Sequence, residues 1–83
     1  SNTAMPGDFL MQQMEWREAL EDARGPQALE ALLDEAAHWQ KTALARCATL
    51  LDEAHDYAAA AQTVRQLLFV EKFIADVESA LAS

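Results

Sequence analysis

From Gln27 to Ser83 the chain contains neither glycine nor proline, the residues that break helices most strongly. Its two prolines and two glycines stand as Pro6-Gly7 and Gly25-Pro26. In a sequence rich in Ala, Leu, Glu and Gln, that punctuation restricts the fold to a few helices and argues against a sheet. Gly25 is expected to end the first helix in a left-handed conformation, and Pro26 to open the second. The next break is Glu53-Ala54-His55-Asp56, where Asp56 is placed to cap a third helix running to about Leu81. The first helix follows Met5-Pro6-Gly7, with Asp8 as its expected N-cap. Two long helices joined by a short connection pack as antiparallel neighbours. The expected architecture is therefore an all-α three-helix bundle, a long hairpin with the shorter first helix packed along part of it. Residues 1–7 read as a cleavage remnant, Ser1-Asn2, with a linker, and residues 8–83 as one domain. Such a remnant leads us to expect further sequence upstream in the natural protein.

Each helix has a stripe suited to the core. At about 100° per residue, Phe9, Gln13, Trp16, Leu20 and Ala23 share one face of the first helix. In the second, Leu29, Leu32, Leu33, Ala36, Ala37, Leu44, Cys47, Leu50 and Leu51 keep an approximate helical spacing that His38 and Trp39 interrupt. In the third, Ala60, Val64, Leu67, Phe73, Ile74, Val77 and Leu81 are the expected core. Some long apolar side chains fall outside these stripes. Leu10, Met11 and Met14 share the far side of the first helix with Glu15, Glu18 and Asp22. Phe69 is rotated by about 140° from Val64, among Gln62, Arg65, Gln66, Lys72 and Asp76.

With 83 residues the chain makes one domain, and folding at this size buries only about 60–65% of the unfolded surface, too little for a deep active site. A formal charge of −8 repels a nucleic-acid backbone or an anionic membrane, so a neutral or basic protein is the better partner. There is no apolar run long enough to cross a membrane and no secretory signal pattern. Cys47 is the only cysteine; it makes no internal disulfide and cannot hold a cluster, and its place on an apolar stripe marks it as a small buried side chain. His38 and His55 lack the surrounding ligand set of a metal site. Neither a nucleophile with its base nor a Gly-rich phosphate loop is present. No cofactor, metal or enzymatic activity is expected.

On periodicity alone, Leu10, Met11 and Met14 are as readily ordinary surface residues as a docking face. Methionines at adaptable protein surfaces favour the docking reading. Acidic residues beside them would steer a basic partner, although Glu15, Glu18, Glu21 and Asp22 also suit a plain solvated face. Arg17 and Glu21 are spaced for a helical ion pair.

Two motifs at the ends of the domain carry a resemblance. FLMQQMEWREALEDA near the N-terminus and YAAAAQTVRQLLFVEKF in the third helix resemble the C-terminal domain of HscB-type J-protein co-chaperones of iron-sulfur cluster biogenesis. The likeness runs from about Asp8 to Leu81, and the middle helix is generic. It implies a domain that binds an IscU-type scaffold protein for delivery to an HscA-type Hsp70. The family's scaffold-binding patch falls on Leu10, Met11, Met14, Glu15, Glu18, Asp22 and Phe69. Met14 stands where Leu is often found, a swap of similar volume, and Asp22 is one methylene shorter than the Glu often found there. The family's J domain, with its His-Pro-Asp loop, has no counterpart in this chain, so stimulation of Hsp70 belongs to that other half. The resemblance implies a bacterial cytoplasmic protein, with the mitochondrial matrix as the alternative. The competing function is homo-oligomerisation through the same apolar patch.

Overall fold

The computed structural model describes residues 6–83, so the Ser1-Asn2 remnant and most of the expected linker lie outside the described residues. Three helices follow in order: α1 (Gly7–Asp22), α2 (Pro26–Asp52) and α3 (Tyr57–Ala82). The α2–α3 hairpin sets the longest dimension, 43 Å. Contacts of α1 run in order along both partners. Phe9 meets Trp39 and Trp16 meets Glu35, while Trp16 meets Phe73 and Arg17 meets Asp76. Thus α1 lies antiparallel to α2 and parallel to α3, against the half of the hairpin away from its loop. The architecture is the expected all-α three-helix bundle.

Local chemistry explains the helix ends, with two departures from the expected capping. First, α1 begins at Gly7 with Pro6 in the N-cap position; Asp8 sits inside the first turn, where its Oδ1 accepts the Phe9 N–H at 2.9 Å. The carboxylate still serves an unpaired opening amide and still lies at the positive end of the helix dipole. Second, Gly25 does not cap α1. That helix ends at Asp22, Ala23 is extended, and Arg24 donates to the carbonyls of Glu21 and Ala23 at 3.2 Å each, a basic side chain closing the C-terminus. Gly25 instead precedes α2 with φ 85° and ψ 167°, a backbone region nearly restricted to glycine, and Pro26 opens that helix as expected.

At the other end of α2, the N–H groups of Glu53 and Ala54 both reach the Thr49 carbonyl, at 3.0 and 3.1 Å, and the Asp56 N–H reaches the Leu50 carbonyl at 2.8 Å. His55 turns the chain with φ 52°. Asp56 then caps α3 as expected, its Oδ1 accepting the Ala59 N–H at 3.1 Å.

The core is aromatic where three helices meet and built from small residues where only two do. Trp16 is almost wholly buried, stacked on Phe73 at 5.2 Å and edge-on to Trp39 at 6.3 Å; Phe9 lies 5.2 Å from Trp39. Such pairs each add about 0.5–1.5 kcal/mol beyond their burial. The indole N–H of Trp16 donates to Glu35 Oε1 at 3.2 Å, so its polar edge is satisfied. Leu32, Ala36, Val70 and Val77 complete this cluster. Towards the hairpin loop the buried residues are Ala43, Cys47, Ala60 and Thr63.

The expected stripes of α2 and α3 were therefore partly misphased. Leu44, Leu51 and Val64 are exposed, as is Ala37, while Ala43, Thr63 and Val70 are buried in their place. Small side chains at 43 and 60 let two backbones approach where no third helix covers them, which favours Ala43 inside over Leu44. Thr63 tolerates burial because its hydroxyl donates to the Ala59 carbonyl at 2.9 Å. Trp39, an apparent interruption, packs on the core and meets Phe9 and Trp16 of α1.

Candidate protein-binding surface

On α1, burial of one stripe determines what the other faces present. Phe9 and Trp16 are buried, with Leu20 packed beside them. Leu10, Met11 and Met14 are 46, 62 and 64% exposed. Leu10, Met14 and Arg17 follow the 4-and-3 spacing that places residues in one row. That row runs along the flank of α1 facing α3. Arg17 fixes its direction, since its guanidinium reaches Asp76 on α3 at 2.6 Å and lies 5.3 Å from the centre of the Phe73 ring.

Phe69, 49% exposed, stands on the facing flank of α3. With Gln13, Trp16 and Arg17 it lines a small hollow in the seam between the two helices. Helical phase thus turns Leu10 and Met14 toward the α1–α3 seam that Phe69 lines. Met11 and Glu18 form the next row outward on α1, turned about 40–60° beyond Met14. Glu15 and Asp22 are turned about 80–100° beyond it, the outermost of the sequence-derived site residues. All three acids are exposed.

Arg17 does not pair with Glu21 in the way its helical spacing suggested. A partner on another helix wins because Asp76 also receives Lys72, at 3.0 Å, which makes a compact three-charge cluster. These partners hold the Asp76 carboxyl below its usual range, the Arg17 hydrogen bond most and the Lys72 hydrogen bond next. The cluster ties α1 to α3 at the end of the exposed row and so fixes how Met14 and Phe69 face outward together.

One apolar residue of this region was not singled out from the sequence. Leu68 is 61% exposed, so Phe69 has an exposed apolar neighbour among the polar groups. Arg65, Leu68, Phe69 and Lys72 line one open hollow of about 440 Å³. The spacing 65, 68, 69, 72 was the available signal, since it defines a single helical face.

Elsewhere the surface offers little chemistry. Among the described residues no group of three or more His, Cys, Asp or Glu side chains is placed to hold a metal ion. No helix of the described residues is long and apolar enough to cross a membrane. Cys47 is buried and unpaired.

Comparison with known proteins identifies the domain. The family described as "HSCB C-terminal oligomerisation domain" matches residues 5–78. The chain belongs to the HscB C-terminal domain family. Relatives of this HscB-type domain include a "Co-chaperone protein HscB homolog" of Bordetella petrii, 52% identical over 81 residues that make up 96% of this chain and 48% of the relative. Proteins with the same description from Burkholderia multivorans and Burkholderia vietnamiensis are 51 and 50% identical over 80 residues, which is 93% of this chain and 45% of each relative. The chain spans about half the length of these curated relatives. No solved structure is significantly similar to it.

Proposed function

We propose that this domain is the cargo-binding half of an iron-sulfur co-chaperone, docking an IscU-type scaffold protein through the α1–α3 seam for delivery to an HscA-type Hsp70. The observation that carries this reading is the shared exposure of Leu10, Met11, Met14 and Phe69 on adjoining faces of two helices whose opposite faces are buried. Folding does not require long apolar side chains at those positions, and their cost in solvent is recovered when a partner covers them. Burial of such a side chain contributes about 1.5–3 kcal/mol when complete. Association itself costs several kcal/mol, so a patch of four suits a transient complex of roughly micromolar affinity. Glu18, Glu15 and Asp22 border the patch and favour a basic rim on the scaffold.

In this reading the domain performs no reaction and holds no cluster of its own. Stimulation of the Hsp70 belongs to a J domain in the other half of the protein, and the compartment is the bacterial cytoplasm. Isothermal titration of the domain with an IscU-type scaffold, apo and cluster-loaded, tests the proposal. Saturable 1:1 binding at micromolar concentrations supports it, and no heat at concentrations tenfold higher rejects it.

The family's description as an oligomerisation domain favours a second reading, self-association of the domain through the same patch. Light scattering over a concentration series separates the two. A persistent dimer dispersed by Leu10→Ala and Phe69→Ala supports self-association, and a monomer at every concentration supports the adaptor.

A further inference from the structure

The α3 side of the seam differs electrically from the α1 side, and the difference specifies a feature of the partner. On α1 the exposed apolar row is bordered by Glu15, Glu18 and Asp22. On α3 the open surface beside Phe69 is formed by Leu68, Arg65 and Lys72, with no carboxylate among the described residues that line it. Arg17 lies at the seam itself. Three of the six Lys and Arg residues of a chain with net charge −8 thus gather around one short stretch of surface. Asp76, the acid in their midst, is engaged by both Arg17 and Lys72, so these three groups together carry one net positive charge and Arg65 adds another. Glu71, also exposed on α3, lies about 160° around the helix from Phe69. An acidic molecule therefore presents a small basic shelf whose floor is leucine and phenylalanine.

We propose that the docking surface continues past Phe69 onto this shelf, and that the protein partner places there an apolar side chain with a carboxylate beside it, the apolar group on Leu68 and Phe69 and the carboxylate against Lys72 and Arg65. The inference rests on the reading of the seam as a docking surface, and adds to it the partner's polarity. A basic rim meets α1 and an acidic one meets α3. Two opposed charge contacts flanking an apolar centre fix the partner's orientation, because rotating it by half a turn sets like charges against each other on both sides. A uniformly basic partner, by contrast, gains on α1 and loses on α3.

The test is titration of the domain and its Leu68→Ala, Lys72→Gln, Lys72→Glu and Phe69→Ala variants against the IscU-type scaffold at low and high salt. Leu68 and Lys72 are largely exposed and Phe69 about half, and a urea melt of each variant reports whether the fold is intact. Leu68→Ala is expected to weaken binding by about five- to twentyfold, from the 61% of its surface left to bury. Lys72→Gln is expected to weaken it by about two- to fivefold and to reduce its salt dependence, and Lys72→Glu to weaken it further. A purely structural role for Lys72 would change the melt and leave the salt dependence of binding alone. Wild-type affinity in Leu68→Ala and Lys72→Glu, with a loss in Phe69→Ala, overturns the shelf but keeps the docking surface. Wild-type affinity in all of them overturns both. A concentration-dependent dimer in sedimentation that Leu68→Ala disperses also overturns the proposal, because the shelf's occupant is then a second copy of this chain.

Discussion

Replacing Met11 with alanine separates folding from docking, because this side chain stands in the row of α1 just outside the packed seam. Met11 is 62% exposed and lies outside the buried cluster. Complete burial of a methionine side chain is worth about 1.5–3 kcal/mol, so the exposed share leaves about 1–2 kcal/mol for a partner and less than that for the fold. If the partner covers it, Met11→Ala raises Kd by roughly five- to twentyfold. The fold loses about 1 kcal/mol at most, against a total stability of about 4–12 kcal/mol for a domain of this length. Isothermal titration with the scaffold and a urea melt followed by circular dichroism measure the two effects on the same preparation. Phe69→Ala, at 49% exposure, is expected to raise Kd by about four- to twelvefold. The double variant is expected to deviate from the product of the two, because residues covered by one partner surface are energetically coupled. A change of less than twofold for both single variants, with melts in place, would falsify the patch assignment.

Trp16→Ala removes the residue through which α1 packs on both other helices, a loss of about 3–5 kcal/mol; a drop in melting temperature together with lost scaffold binding is expected, and a melt unmoved by the change refutes the packing account. The Arg17–Asp76–Lys72 cluster lowers the Asp76 pKa, so its contribution to stability is present above the unfolded carboxyl pKa and is lost as pH falls through the lower folded value. Asp76→Asn should therefore lose stability at neutral pH and show a shallower acid decline than the parent, and parallel pH–stability curves contradict the linkage. Gly25→Ala forces a side chain into φ 85°, at a cost of about 1–3 kcal/mol although nothing crowds the added Cβ. An unchanged denaturation midpoint would mean that the α1–α2 link relaxes freely.

Much of this fold was legible because breakers and caps act locally. Pro26 opens α2 and Asp56 caps α3 whatever the rest of the chain does, and a hairpin follows from two long helices with a short link. The exposure of Leu10, Met11 and Met14 was legible for a related reason, since Phe9 and Trp16 are larger claimants to the buried face of α1. Where several apolar residues compete within one turn, periodicity has no means of choosing. Leu44 lost to Ala43, and Val64 to Thr63 and Val70, by about one residue of helical phase each. Close backbone approach decides such contests, and it is a property of two helices together.

The sequence by itself determined the number of helices, where the chain turns, the acidity of the molecule and which face of α1 is left to solvent, because each depends on neighbours within a turn or two. Only the tertiary structure decided that Arg17 reaches across to Asp76 instead of along its own helix to Glu21, and that Trp39 belongs with the core. Those outcomes depend on how far and at what angle α1 sits from the hairpin. That placement is set by the interlocking of Phe9, Trp16, Trp39 and Phe73, side chains up to 64 residues apart that no local rule brings together.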